Sequence, residues 1–174
     1  MSHKKAATDS SPPPPPREPR LRVAEVADVE ALRSLCRRSI EQLGPPAYTP
    51  AEAAAWAAFT DDEPRFADFI LDNWTLVAMV DDRVAGFGGL GADGYIASLY
   101  VDPGFARRGI ASLLLDALIQ EGRRRGAVRF HAAASRLSLP VFGRFDFRIV
   151  SEETVIRGGV PLVRYQVATA EGDR

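Results

Sequence analysis

The residues best placed to do chemistry lie between Val101 and Ser112. The chain there reads Val101-Asp102-Pro103-Gly104-Phe105-Ala106-Arg107-Arg108-Gly109-Ile110-Ala111-Ser112, with Leu113, Leu114 and Leu115 behind it. An apolar β-type run ends in a Pro/Gly turn, two arginines and a glycine follow, and an apolar helix begins. That order brings backbone N–H groups together at the positive end of a helix, which is a site for a diphosphate. Gly109 lets the backbone come close, and Ala111 keeps the first helical turn free of bulk. Other chemistries are poorly served. Cys36 is the single cysteine, so no intrachain disulfide forms. His3 and His131 stand far apart with no cysteine cluster, so the spacing predicts no metal site.

The elements that must position this loop can be read from the pattern around it. With 174 residues, the chain has the size of one domain with a real core. It is 46% hydrophobic and 26% charged, as soluble globular proteins are, and no apolar run nears the roughly 18 residues of a membrane span. Lys4 and Lys5 are not followed by an apolar segment, so no secretory signal is expected. A net charge of −1 gives no bulk attraction to nucleic acid. A cytoplasmic protein with no nucleic-acid or membrane partner is the expectation, and the lone thiol fits a reducing compartment.

Residues 1–19 read as a disordered tail, because Pro12 to Pro16 favour polyproline II and no apolar face recurs. It serves as a solvated linker or as a docking arm for an SH3-like module. The folded domain is expected over 20–174. A strand runs from Leu21 to Val26. A helix then buries Val29, Leu32, Leu35, Cys36, Ile40 and Leu43, and Gly44-Pro45-Pro46 stops it. Two shorter helices follow, one from Pro50 through Trp56 and Phe59 and one from Asp62 to Ile70. Strands are predicted over Trp74 to Val80, Arg83 to Leu90 and Gly94 to Val101, the first two joined by an Asp81-Asp82 turn. After the helix from Gly109 to about Arg125 come a strand (Val128 to Ala133) and a short helix (Leu137 to Phe145). Two antiparallel strands, Phe147 to Ile156 and Pro161 to Val167, close the chain around Arg157-Gly158-Gly159. The order describes one α+β layer protein.

This order, with a phosphate loop after the fourth strand, resembles the GNAT superfamily of acetyl-CoA-dependent N-acetyltransferases. The family's loop Gln/Arg-x-x-Gly-x-Gly/Ala aligns with Ala106-Arg107-Arg108-Gly109-Ile110-Ala111. Its segment Ser/Asn-x-x-Ala-x-x-Phe-Tyr-x-x-x-Gly-Phe aligns with the thirteen residues from Ser135 to Phe147. The likeness covers roughly residues 20 to 170, and Arg37-Arg38-Ser39-Ile40, Tyr48 and Trp56 are similar to a bacterial small-molecule subgroup. It implies a mixed, mostly antiparallel twisted sheet of about seven strands with helices on both faces. It also implies acetyl-CoA as co-substrate, no metal, and direct acetyl transfer to the amine of a small molecule. Leu99, Tyr100 and Val101 would take the pantetheine arm as an added strand. The N–H groups of Arg107, Arg108, Gly109, Ile110, Ala111 and Ser112 would hold the pyrophosphate, flanked by the two guanidinium groups. Ser135 and Phe142 would sit near the pantetheine and the thioester sulfur, and Arg38, Tyr48 and Trp56 at the acceptor end. Members often pair through late strands, which implies a possible homodimer.

Three positions depart from the family pattern. Ala106 replaces Gln or Arg, Asp146 replaces a glycine of positive φ, and Phe142 replaces a tyrosine that serves as acid. A general acid is typically worth roughly 10²–10⁴ in rate. The fourth strand carries no acid between Asp93 and Asp102, so the base is a water relayed by Ser98 or Tyr100, or else Asp93. A weakly basic amine needs no base, being neutral at pH 7. The same departures, with Ala97, support a second reading, a non-catalytic CoA- or acyl-CoA-binding module. A third is a protein acetyltransferase that uses the tail as a docking arm. Blander roles are expected elsewhere: Arg123-Arg124-Arg125 complement a helix dipole, Cys36 and His131 are structural, and Asp81-Asp82 only turn the chain.

Overall fold

The computed structural model describes residues 18–170; the proline run of the N-terminal segment lies outside the described residues. Twelve elements follow in the expected order: β1 (Arg20–Val23), α1 (Val29–Leu43), α2 (Pro50–Ala57), α3 (Glu63–Leu71), β2 (Trp74–Val80), β3 (Arg83–Leu90), β4 (Ile96–Val101), α4 (Ile110–Arg124), β5 (His131–Ala134), α5 (Leu139–Arg144), β6 (Arg148–Arg157) and β7 (Val160–Ala168).

Local chemistry sets most of these boundaries. α1 buries Leu32, Leu35, Cys36, Ser39 and Ile40, a single stripe at helical spacing. α2 starts on a reciprocal cap: the Glu52 N–H donates to Thr49 Oγ1 (3.2 Å) and the Thr49 N–H to Glu52 Oε2 (2.7 Å). α3 starts on Asp62, whose Oδ1 accepts from the Arg65 N–H at 3.1 Å. The β2–β3 hairpin turns on Asp81 and Asp82, both at positive φ (48° and 61°), as a two-residue turn between twisted strands requires. Gly158 and Gly159 turn β6 into β7 in the same way.

The seven expected strands all form, but in two antiparallel sheets, β1-β2-β3-β4 and β5-β7-β6. Between the sheets a parallel bridge links Tyr95 to His131, where the two rings lie 5.2 Å apart. β5 begins at His131 rather than Val128, because Phe130 is held instead by Thr169, whose Oγ1 accepts its N–H at 3.0 Å. The sheet alternates its side chains between two cores. Leu76 and Ala78 of β2 face α4, with Leu114, Leu115, Leu118, Phe142 and Phe147. Val77 faces the other side, with Leu35, Phe66, Ile70 and Phe87. α4 can lie close to β3 because Gly86 has no side chain: a Cβ there would come within 2.7 Å of the Tyr100 carbonyl oxygen and 3.0 Å of Ile110. No helix among the described residues is long and apolar enough to cross a membrane.

Candidate active site

A cleft of about 660 Å³ opens where the two sheets part. Ile96 to Val101 line one side, and Ala132, Ala133 and Ser135 the other. Among the described residues β4 pairs only with β3, and β5 only with β7, so their facing edges have no strand partner there beyond the Tyr95–His131 bridge. The divide coincides with a bulge. Ser98 pairs with Gly89 and Ile96 with Leu90, which leaves Ala97 as an extra residue on β4. Such a bulge bends its strand. The open edge, which includes Leu99, Tyr100 and Val101, offers backbone donors and acceptors to an extended polar chain.

The loop expected to hold a diphosphate forms one end of this cleft. Arg107 (φ 65°) and Gly109 (φ 81°) are both left-handed and swing the chain into α4. A Cβ at Gly109 would meet nothing within 4 Å, so conformation rather than crowding calls for glycine there. The first helical bond runs from the Leu113 N–H to the Gly109 carbonyl at 2.9 Å, and no side chain caps the helix at Gly109. The N–H groups of Ile110, Ala111 and Ser112 therefore begin α4 without partners inside the helix, at its positive end. All three residues line the cleft, with Ala106, Arg107 and Gly109. Arg108 does not. Its guanidinium carbon lies 5.5 Å from the centre of the Phe105 ring instead.

Aromatic residues build the other end. Tyr48 and Trp56 stand with ring centres 5.7 Å apart, and Trp56 Nε1 donates to the Tyr100 hydroxyl at 3.4 Å. Tyr48 spans the cleft, its hydroxyl accepting the Arg136 N–H from the β5–α5 loop at 2.9 Å. Arg38, expected at the acceptor end, is not among the lining residues. It pairs with the buried Asp102 (2.7 Å), whose other oxygen accepts the Gly104 N–H (2.9 Å). Its neighbour Ser39 lines the cleft in its stead, with Ile40 and Leu43.

The candidate proton carriers have contrasting surroundings. Burial pushes the Tyr100 phenol well above the ordinary tyrosine range, and the neighbouring Cys36 adds to the effect. Burial likewise raises Tyr48, against the opposing Arg136 N–H. Both hydroxyls therefore keep their protons at neutral pH. The Ser98 hydroxyl is directed at β3: a Cβ on Gly89 would come within 2.9 Å of it. Phe142 is 3% exposed and packs edge-on against Phe147 with centres 5.0 Å apart. The Ser135 hydroxyl lies 3.1 Å from that of Ser138. Asp93 is outside the cleft and lines a separate hollow of about 350 Å³ with Asp72, Trp74 and Arg125. Among the described residues, the lining of the main cleft holds no Asp, Glu or His; its ionisable side chains are Tyr48, Tyr100, Arg107 and Arg144. Arg144 escaped the sequence reading, and its one signal there was a basic position two residues after Phe142 on α5.

Cys36 is fully buried, His131 packs on Tyr95, and Asp146 does adopt a positive φ of 63°.

Comparison with known proteins agrees with this geometry. Residues 45–169 match the family model described as an acetyltransferase (GNAT) domain. An uncharacterized N-acetyltransferase of Escherichia coli K12, YafP, is 29% identical over 135 residues, covering 78% of this chain and 85% of that protein. A GCN5-related N-acetyltransferase crystal structure from Rhodopseudomonas palustris superposes with a TM-score of 0.85 at 28% identity, over 89% of this chain and 97% of that one. The PaiA N-acetyltransferase of Thermoplasma acidophilum, solved with coenzyme A, shares the fold at 17% identity, with a TM-score of 0.72 over 88% and 99% of the two chains. This chain belongs to the GNAT family of N-acetyltransferases.

Proposed function

We propose that the protein transfers the acetyl group of acetyl-CoA to a small molecule whose amine is weakly basic and already neutral at pH 7. The observation that carries this reading is one cleft with two contrasting ends. Free helix N–H groups and Arg107 stand at one end, and an aromatic, carboxylate-free chamber at the other.

The residues present fit acetyl-CoA. The unpaired edge of β4 suits the amide groups of a pantetheine arm, and Ile110, Ala111 and Ser112 suit a pyrophosphate. Bound there, acetyl-CoA supplies a thioester carbonyl open to attack by an amine. Backbone N–H groups on the β4 edge would polarise that carbonyl. Neither Tyr48 nor Tyr100 can act as a base near pH 7, since both hydroxyls hold their protons tightly. With no carboxylate or imidazole lining the cleft, an alkylammonium would find neither a counter-charge nor a proton acceptor. An aromatic or otherwise weakly basic amine is already neutral and needs no group to deprotonate it before attack; as the N–C bond forms and the C–S bond breaks, the proton it sheds passes to the departing CoA sulfur or to water. Phe142 can donate no proton to the leaving sulfur. A thiol with pKa about 8.5 is ionised at pH 7 for only about 2 kcal/mol, so this slows transfer without preventing it.

The test pairs an aniline-type with an alkylamine acceptor and follows thiol release from acetyl-CoA against pH. The aniline is expected to react at a rate nearly constant over about pH 6–9. The alkylamine rate is expected to rise about tenfold per pH unit toward its own pKa near 10.4. A pH-independent rate with the alkylamine would reveal a base and sink the proposal. Binding of CoA with no transfer to any amine would instead favour the non-catalytic module.

A further inference from the structure

Arg107 and Arg108 are adjacent in the phosphate loop yet serve different places. Arg107 lines the cleft, whereas the guanidinium of Arg108 lies over Phe105, 5.5 Å from the ring centre. A second guanidinium meets it there. Arg83, the first residue of β3, stands 5.0 Å from the same centre. Phe105 is buried in the turn just before the loop, so its ring holds two cations beside a site built for anions. Each contact with the ring is weak at an exposed position, and the two like charges repel. A bound dianion would turn that repulsion into attraction. Of the acidic residues in the turn before Arg83, Asp82 is engaged by Arg20 at 3.0 Å.

Coenzyme A carries such a group. Besides its pyrophosphate it has a 3′-phosphate on the ribose, separated from the pyrophosphate by only a few sugar atoms. We propose that Arg83 and Arg108, held on Phe105, form a subsite for that 3′-phosphate, so that the protein distinguishes CoA from 3′-dephospho-CoA. The inference rests on the acetyl-CoA reading above. Guanidinium groups suit the role because their planar forks pair with phosphate oxygens two at a time. A ring that already orients them reduces the freedom lost on binding.

Calorimetry on the full chain with CoA and with 3′-dephospho-CoA tests this without any turnover. The wild type is expected to bind CoA about tenfold more tightly, a margin that shrinks with added salt. Arg83→Ala should weaken CoA to the level of 3′-dephospho-CoA and leave the latter's affinity unchanged. Arg83→Gln repeats the measurement should the alanine variant fold poorly. Equal wild-type affinities would overturn the subsite while leaving the acetyl-CoA reading intact, and so would a variant that weakens both ligands alike. Binding of neither ligand would overturn both.

Discussion

Phe142 and Asp146 lie four residues apart, and each replaces a residue the GNAT pattern leads one to expect. Phe142 gives up a hydroxyl and gains a buried edge-to-face contact with Phe147. The exchange adds apolar packing and, on the function proposed above, leaves the departing sulfur without a side-chain acid. Asp146 adopts the left-handed conformation (φ 63°) that glycine would take without strain. Aspartate tolerates this region better than most residues, whereas an ordinary L-residue there costs about 1–2 kcal/mol. Urea denaturation of Asp146→Gly and Asp146→Ala should therefore give an order. The glycine variant should be at least as stable as the wild type, and the alanine variant about 1 kcal/mol less stable. An alanine variant equal to the wild type would mean that this turn bears no strain. Position 146 was legible through the family segment, which has a glycine of positive φ there. The pairing of Phe142 with Phe147 belongs to the fold.

α4 is open at its beginning and tied at its end. Its first N–H groups face the cleft uncapped. At its last turn Glu121 accepts from Arg124 and Arg125, each at 2.6 Å, and Arg125 also covers the Trp74 ring at 5.0 Å. Such a distribution suits an element that presents its positive end to an anion, since the helix must be secured elsewhere. Hydrogen bonds from Arg124, then Arg125, hold the Glu121 carboxyl down to about 2 from an ordinary 4.5. Because the folded value is the lower one, the stabilisation is complete above pH 4.5 and is lost as pH falls toward 2. Thermal melts of wild type and Glu121→Gln should thus differ most near neutral pH and converge between pH 4.5 and 2. A gap that stays constant across that window would show that the ion pairs contribute nothing to stability. The arginine run was legible as a complement to the helix dipole, whereas its partner Glu121 is set by helical spacing and its contact with Trp74 by packing.

At the scale of the whole molecule, the site is the place where one sheet becomes two. Tyr48 reaches across that divide to the Arg136 N–H at 2.9 Å, so the α1–α2 connection and the β5–α5 loop are tied across the cleft. Tyr48→Phe should cost about 1 kcal/mol and speed hydrogen exchange at the Arg136 amide beyond any global loss of stability. Unchanged protection there would show that the tie does not hold the two halves together. The sequence by itself determined the order of elements, the phosphate loop and the positive-φ turns, because hydrophobic period, glycine and proline placement and helix ends are all local properties. Only the tertiary structure decided that the seven strands divide at β4 and β5, since pairing depends on partners far along the chain. It also decided that Arg38 pairs with Asp102, that Arg108 joins Arg83 over Phe105, and that no carboxylate of the described residues lines the cleft. Side-chain direction is settled by what packs alongside, and the neighbours here come from segments as far as 64 and 88 residues away.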